Sequence, residues 1–232
     1  MKNNKMLIII GGIIVAILIV VAIFLPPEKE EEVKEDLLGI SYNVEGNETN
    51  LKYDTENPVV AMYIEKYGSI VMELYPDVAP NTVNNFISLV KSGFYDNNSF
   101  HRLEPGFVLQ GGDPSGNGTG GPGYSIKGEF TDNGFENSLK HEKWVLSMAR
   151  SQDNDSAGSQ FFIMLDKSEY LDGKYASFGK VIDGYKNIEN IVSHENVSDS
   201  TTGMLANKLV IKKSIIDLKG KSYPEVEKIE EQ

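Results

Sequence analysis

Short apolar segments separated by glycine-rich turns run from about residue 58 to residue 218, and they constrain the fold more than any other feature. Segments of four to eight residues rich in Val, Ile, Phe and Tyr predict β-strands, and closely spaced strands of this kind are typical of sandwiches and barrels. The predicted strands lie at 59–64, 68–75, 107–110, 144–148, 161–164, 177–181 and 208–218. A doubly wound parallel sheet would require alternating helices, which this pattern does not contain.

Two segments have the periodicity of an amphipathic helix. The first, APNTVNNFISLVKSG, has Pro80 near its start and Gly93 just past its end, as expected of a helix. Its apolar positions recur at i, i+3, i+4 and i+7 and are Val83, Phe86, Ile87 and Val90. A weaker helical pattern covers 185–192. We therefore predict a mainly β fold, an antiparallel barrel with one helix over each open end.

The N-terminus contains a long apolar run. Residues 6–25, MLIIIGGIIVAILIVVAIFL, carry no charged side chain. Twenty residues at ~1.5 Å each match a hydrocarbon core of about 30 Å. Because Lys2 and Lys5 precede the run and an acidic segment follows it, residues 1–5 are expected in the cytoplasm and the rest outside. A cleaved signal peptide is the alternative, although its apolar region is usually only ~7–15 residues long. We predict a single-pass transmembrane helix.

The remaining chain divides into three parts by composition. Residues 26–57 are polar and acidic and are predicted to form a flexible linker, 58–220 are long enough for one folded domain, and 221–232 form a charged tail. The formal net charge of −12, with no cluster of Lys and Arg, argues against nucleic acid as a partner. The absence of cysteine from the sequence excludes disulfides and thiolate metal sites.

Several possible site motifs favour structural interpretations. GNGTGG, residues 116–121, satisfies the dinucleotide pattern G-x-G-x-x-G, but Pro122 follows it and no helix does, so a tight surface loop is the better prediction. The three histidines lack metal-ligand spacing. His101 could act as a general base, but a structural role with a bonded partner is favoured. The sequence has no G-x-S-x-G turn and no glycosidase-type carboxylate pair, which argues against acyl transfer and glycoside hydrolysis. We predict no metal and no cofactor.

One stretch, FHRLEPGFVLQGGD, places Arg102 and Gln110 inside segments that otherwise look buried. Gln160 is a third such polar residue, beside two phenylalanines. The ordered motifs FHR, PGF, QGGD, GTGG, SMA, SQFFI, LDGK and FGKV resemble the cyclophilin family of peptidyl-prolyl cis-trans isomerases (rotamases). The resemblance covers about 58–218 and implies a closed eight-stranded antiparallel barrel capped by two helices.

The resemblance also implies a chemistry and a set of site residues. Cyclophilins rotate the peptide bond before proline, whose barrier is ~18–20 kcal/mol, without breaking a covalent bond. By motif position the catalytic residues are Arg102, which would donate to the proline nitrogen as the bond twists, and Gln110, which would hold the carbonyl. The substrate-binding positions are Phe107, Val108, Ala149, Arg150, Gln160, Phe162, Tyr170, Leu171 and Tyr175.

Some positions depart from the family pattern. Tyr175 stands where many members have His, Val108 replaces Met, and Arg150-Ser151 replaces Asn-Ala. Tyr170 stands where cyclosporin-sensitive members have Trp, so cyclosporin is expected to bind only weakly. These changes are expected to alter the preference for the residue before proline.

Two functional hypotheses follow. The first is a membrane-anchored isomerase outside the cytoplasmic membrane, with proline-containing segments of unfolded or exported proteins as its partners. The second is a binding module that grips such segments, with turnover incidental. Residue usage rich in Lys, Asn, Ile and Glu, together with the anchor design, favours a Gram-positive bacterium as the source.

Overall fold

The computed structural model describes residues 48–230; the predicted anchor at 6–25 lies outside the described residues. Two α-helices are present in this part of the chain, α1 (Pro80–Lys91) and α2 (Tyr185–His194). The strands in the same range are β1 (Val59–Ile64), β2 (Gly68–Leu74), β3 (Ser99–Glu104), β4 (Val108–Gly111), β5 (Tyr124–Ser125), β6 (Val145–Met148), β7 (Phe161–Met164), β8 (Ser177–Asp183), β9 (Val197–Asp199), β10 (Met204–Asp217) and β11 (Ile229–Glu230). Between positions 48 and 230 no helix is long and apolar enough to cross a membrane.

Eight of these strands form a closed antiparallel barrel. Their order around the ring is β1-β2-β8-β6-β7-β4-β3-β10, and β10 pairs back to β1. Strand β9 adds to β10 outside the ring, and β5 and β11 form a separate two-stranded sheet. The predicted mainly β barrel with two helices is therefore confirmed.

A group of aromatic side chains joins α1 to the barrel core. Phe86 of α1 lies with its ring centroid 5.1 Å from those of Tyr95, Phe161 and Phe178, and its contact with Phe161 is edge-to-face. All four rings are fully buried. Full burial of one such side chain contributes roughly 1.5–3 kcal/mol, so Phe86 alone attaches α1 firmly to the strands. Helix α2 joins the same core through two buried isoleucines, Ile188 and Ile191.

The start of α1 is capped by a carboxylate from another part of the chain. Pro80 occupies the first turn, where its missing N–H costs nothing. The backbone N–H groups of Asn81 and Thr82 donate to the two carboxylate oxygens of Glu129, at 2.9 and 2.7 Å. Because Glu129 is buried and the N-terminus of a helix carries partial positive charge, this contact stabilises both partners. It also fixes α1 to the chain that follows β5.

The folded unit begins earlier than the sequence boundary at residue 58. Leu51 is buried, and its N–H donates to a carboxylate oxygen of Asp217 at 2.8 Å. The hydroxyl of Tyr53 donates to Asp183 at 2.9 Å. Residues 48–57, which composition assigns to the linker, are thus bonded to the barrel.

Candidate active site

A β-bulge places the candidate catalytic arginine on the outer face of the barrel. Between β3 and β4, Phe100 lies opposite Gly111 and Arg102 lies opposite Gln110, so His101 is an extra residue in the register. In a regular ladder Arg102 would instead lie opposite Leu109, whose side chain is in the core. Bulges re-aim side chains in this way next to active sites.

The register continues this alignment across neighbouring strands. Gln110 of β4 pairs with Phe162 of β7, and Phe162 pairs with Ser147 of β6. Residues opposite one another in adjacent strands share a face of the sheet. Arg102, Gln110, Phe162 and Ser147 therefore form one row across four hydrogen-bonded strands, and we call it the catalytic row.

The guanidinium of Arg102 is held on three sides. Its Nη1 donates to the side-chain oxygen of Gln110 at 2.9 Å, its Nε donates to the carbonyl of Thr202 at 3.1 Å, and its Nη2 bonds to the carboxylate of Glu104. Its carbon Cζ also lies 5.8 Å from the centroid of the Phe107 ring. Because a guanidinium has five N–H groups, two remain after these three bonds.

A chain of amide hydrogen bonds orients Gln110 in turn. Its Nε2 donates to Oε1 of Gln160 at 3.1 Å. The Nε2 of Gln160 donates to the carbonyls of Gly118 and Gly120 at 3.0 and 2.9 Å. These hydrogen bonds orient the amide of Gln110 so that its oxygen faces Arg102. One N–H of the Gln110 amide is left for another acceptor.

The glycine loop that ends this chain is built around Asp113. The carboxylate of Asp113 accepts hydrogen bonds from the backbone N–H groups of Ser115, Asn117 and Gly118, at 2.7, 2.9 and 2.5 Å. A Cβ at Gly120 would lie 2.1 Å from the same carboxylate, so only glycine fits there. The loop is the tight surface loop predicted from the sequence, with positive φ at two of its glycines.

Beside the catalytic row lies a cavity of about 280 Å³ that polar and apolar side chains line together. Its floor is an apolar cluster outside the barrel core, formed around Val108, Phe162 and Leu171. Phe107 and Tyr170 stack at a centroid distance of 5.9 Å, and Tyr175 meets Phe162 edge-to-face at 6.0 Å. Ten of the eleven predicted site residues line this first cavity: Arg102, Phe107, Val108, Gln110, Ala149, Arg150, Phe162, Tyr170, Leu171 and Tyr175.

The eleventh, Gln160, lines a second cavity of about 320 Å³. Gln110, Ala149 and Arg150 line both cavities, so the two adjoin. The other walls of the second cavity are polar and include the glycine loop, three serines and Tyr124. An extended chain that enters the first cavity can therefore continue into the second.

Arg150 is held in place as a structural element. Its Cζ lies 5.1 Å from the ring centroid of Phe130 and 4.7 Å from that of Tyr175, so aromatic rings contact it on two sides. Its Nε and Nη2 both donate to the carbonyl of Lys174, at 3.1 and 2.9 Å. A third nitrogen, Nη1, donates to the carbonyl of Ser151 at 2.9 Å. The arginine thus fixes the edge shared by the two cavities.

His141 supports the site, a role that was not predicted from the sequence. Its ring stacks on Phe162 at a centroid distance of 6.2 Å. Its Nδ1 lies 3.0 Å from Asp172, and its Nε2 lies 3.0 Å from the hydroxyl of Ser147 in the catalytic row. Burial lowers the pKa of His141; Asp172 opposes the shift and Lys140 adds to it. Nothing in the local sequence signals this role, because its partners are distant along the chain.

His101 differs from the sequence expectation of a bonded partner. Both of its ring nitrogens are buried, and neither has a hydrogen-bond partner among the described residues. Burial lowers the pKa of His101 from its ordinary 6.5; Asp113 opposes the shift and Arg102 adds to it. Because the pKa of His101 and of His141 is lower in the folded chain than the ordinary 6.5 of the unfolded chain, the unfolded chain binds protons first, and stability is lost as the pH falls below 6.5. Above it, neither histidine contributes to pH dependence.

Comparison with known proteins identifies the family. Residues 59–214 match the family model described as cyclophilin type peptidyl-prolyl cis-trans isomerase/CLD. The chain belongs to the cyclophilin family. It is 48% identical over 128 residues to peptidyl-prolyl cis-trans isomerase B of Bacillus subtilis (strain 168), which covers 55% of this chain and 86% of that protein. It is 43% identical over 141 residues to a peptidyl-prolyl cis-trans isomerase of Synechococcus elongatus, covering 57% and 92% of the two chains.

A solved cyclophilin structure agrees with the fold. The cyclophilin type isomerase of Cryptosporidium parvum, crystallised in the presence of the dipeptide Ala-Pro, superposes with a TM-score of 0.60 at 33% identity. The match covers 68% of this chain and 98% of that one. As a cyclophilin, the present chain is a peptidyl-prolyl cis-trans isomerase.

Proposed function

We propose that Arg102 and Gln110 catalyse prolyl rotation in the first cavity. The observation that carries the proposal is the placement of an arginine with two uncommitted N–H groups in the lining of a cavity with an apolar floor. Phe107, Phe162 and Leu171 would hold the proline ring. As the peptide bond twists, its nitrogen regains a lone pair, and an N–H of Arg102 would meet it. The remaining amide N–H of Gln110 would hold the carbonyl oxygen.

These contacts satisfy the condition for catalysis. The planar amide nitrogen is a poor acceptor, so the bond from Arg102 is stronger in the twisted state than in the ground state. A preorganised donor of this kind is worth roughly 2.7–4 kcal/mol of a barrier of about 18–20 kcal/mol. The remainder of the rate enhancement would come from the contacts that hold the proline ring in the first cavity.

The test is cis-trans exchange in a short Xaa-Pro peptide, followed by NMR with residues 48–232. Arg102→Ala is expected to lower kcat/KM by about 10²–10³. Lys212→Ala is a suitable control because it removes an exposed surface cation, ion-paired with Glu65, from outside the two cavities. Equal rates for wild type and Arg102→Ala would refute the assignment.

We further propose that residues 6–25 anchor the enzyme in the membrane and that its domain assists the folding of exported proteins. The length of the apolar run and the lysines before it support this proposal. The full chain is then expected to resist carbonate extraction from membranes, and deletion of 6–25 should release it. Secretion of a shortened soluble form would instead support a cleaved signal peptide.

The alternative cellular role is binding without a need for turnover. The second cavity favours it, since it extends the contact surface beyond the proline. Maturation of an exported client protein in cells that produce only Arg102→Ala separates the two roles. Full maturation would favour binding, and failed maturation would favour catalysis.

A further inference from the structure

The chain beyond the family match returns to the barrel along α1. Tyr223 and Val226 pack against the barrel core. The side-chain amide of Asn81 in α1 exchanges two hydrogen bonds with the backbone of Glu227: Nδ2 donates to the Glu227 carbonyl, and Oδ1 accepts from its N–H, both at 2.9 Å. The family match ends at residue 214, so these contacts lie outside it. We call residues 222–230 the C-terminal clamp.

The last residues of the clamp are bonded to the strand that contains Tyr124. In the sheet of β5 and β11, Ile229 pairs with Ser125 and Glu230 pairs with Tyr124. The Nζ of Lys228 lies 4.2 Å from the centroid of the Tyr124 ring, a cation–π contact. The clamp thus contacts both the backbone and the ring of a residue that lines the second cavity.

Asn85 of helix α1 bonds to both Tyr124 and Gly158. The hydroxyl of Tyr124 donates to Oδ1 of Asn85 at 2.7 Å, and Nδ2 of Asn85 donates to the carbonyl of Gly158 at 2.7 Å. Asn85 is fully buried, and Gly158 lines the second cavity. The clamp therefore bonds to α1 at Asn81 and to β5, while α1 bonds through Asn85 to Tyr124 and Gly158.

We propose that the C-terminal clamp positions Tyr124 and so sets the affinity of the second cavity for peptide residues that flank the proline. The inference rests on the proposed function, because it assumes that proline occupies the first cavity. A peptide long enough to reach the second cavity then gains contacts that depend on the clamp. A peptide confined to the first cavity gains none.

The test compares peptides of two lengths in the protein comprising residues 48–232. The short probe is a blocked Ala-Pro peptide, and the long probes add three residues before or after this pair. Kd is measured by calorimetry, and KM and kcat by NMR exchange. The variants are truncation after Lys221, Lys228→Ala, and Lys228→Arg, which retains the cation. Lys127→Ala, an exposed lysine near Tyr124, is the matched control.

Lys228→Ala is expected to raise Kd and KM for one long probe about two- to fivefold, the factor expected for an exposed cation–π contact, with kcat unchanged. Lys228→Arg should restore the wild-type values, and the truncation should raise them further. The short probe should respond to none of these changes. Equal losses of affinity for the short and long probes would overturn the inference. Wild-type affinity for the long probes in both the truncated chain and Lys228→Ala would also overturn it.

These outcomes are distinct from a failure of the proposed function. If the wild-type protein binds the long probes without turning them over, the catalytic assignment fails while Kd still reports on the clamp. If lengthening the probe on either side leaves the wild-type Kd unchanged, the clamp inference fails while catalysis stands. The Lys228 variants also decide the question if the truncated chain does not fold.

Discussion

Replacing Arg102 by lysine separates the effect of charge from that of directed hydrogen bonds. Both side chains are cations, but arginine presents five N–H groups in a planar fork and lysine presents three on one nitrogen. In the structure the fork contacts Gln110, Glu104 and Thr202 at once and still keeps two N–H groups free. A single ammonium nitrogen cannot reproduce that arrangement.

The two explanations predict different magnitudes. If charge alone were responsible, the cation would contribute less than the about 4 kcal/mol of two unit charges about 4 Å apart at an effective dielectric constant near 20, because the amide nitrogen carries only a partial charge. Lysine would retain most of that contribution. If a directed N–H is responsible, losing it costs roughly 2.7–4 kcal/mol. We therefore expect Arg102→Lys to lower kcat/KM about a hundredfold or more, close to Arg102→Ala. Loss of the ion pair between Arg102 and Glu104 contributes little to this decrease, because both side chains are partly exposed.

The assay is NMR exchange on a short prolyl peptide, with no coupled protease. Thermal unfolding of each variant shows whether the barrel is intact. Glu104→Gln is the companion variant, because it keeps a hydrogen-bond acceptor beside Nη2 but removes the charge; we expect it to stay within about fivefold of wild type. If Arg102→Lys retained a third of the wild-type kcat/KM, the directed-donor argument would be wrong.

Three other predictions follow from the structure. The free energy of unfolding from denaturant titrations should fall between pH 6.5 and pH 5, and His101→Gln should flatten that slope; an unchanged slope would exclude His101 as its source. Glu129→Gln should lower the unfolding free energy by roughly 1–2 kcal/mol, because the neutral amide loses its charge interaction with the start of α1, and an unchanged denaturation midpoint would contradict this. Tyr170→Trp adds an indole N–H donor and should tighten cyclosporin binding about five- to tenfold, as measured by calorimetry. An unchanged Kd would show that residue 170 does not limit the affinity for cyclosporin.

The fold was predictable where local pattern and burial agree. The strand predicted at 59–64 is β1, whose Val60, Met62 and Ile64 lie in the barrel core, and the four-residue face of α1 lies there as its periodicity indicates. Strand β10 begins at Met204, four residues before the predicted start. Its first five residues, MLANK, are half-buried or exposed and show no alternation that would predict a strand. The clamp lies within the segment predicted from composition to be a charged tail. Backbone hydrogen bonds and a cation–π contact hold the clamp in place, and composition reveals neither.

The site was predictable as a set of residues but not as a geometry. Pattern alone singled out Arg102, Gln110 and Gln160 as polar residues in apolar segments, and the family resemblance supplied the other eight. The bulge at His101 depends on the register of two strands and cannot be read from one segment. Likewise, His141 meets Asp172 across 31 positions of sequence, a separation at which local patterns carry no information.

The structure separates the chemistry of the site from its specificity. The catalytic row lies on four hydrogen-bonded strands, where shifting Arg102 requires a change of register. Three of the departures from the family pattern, at Arg150, Tyr170 and Tyr175, lie outside the strands, on the rims of the cavities. Substitutions at these rims can change which residues flank a bound proline without moving the donors that act on it. We therefore expect exchanges at the three positions to change KM between peptides while kcat remains close to that of wild type.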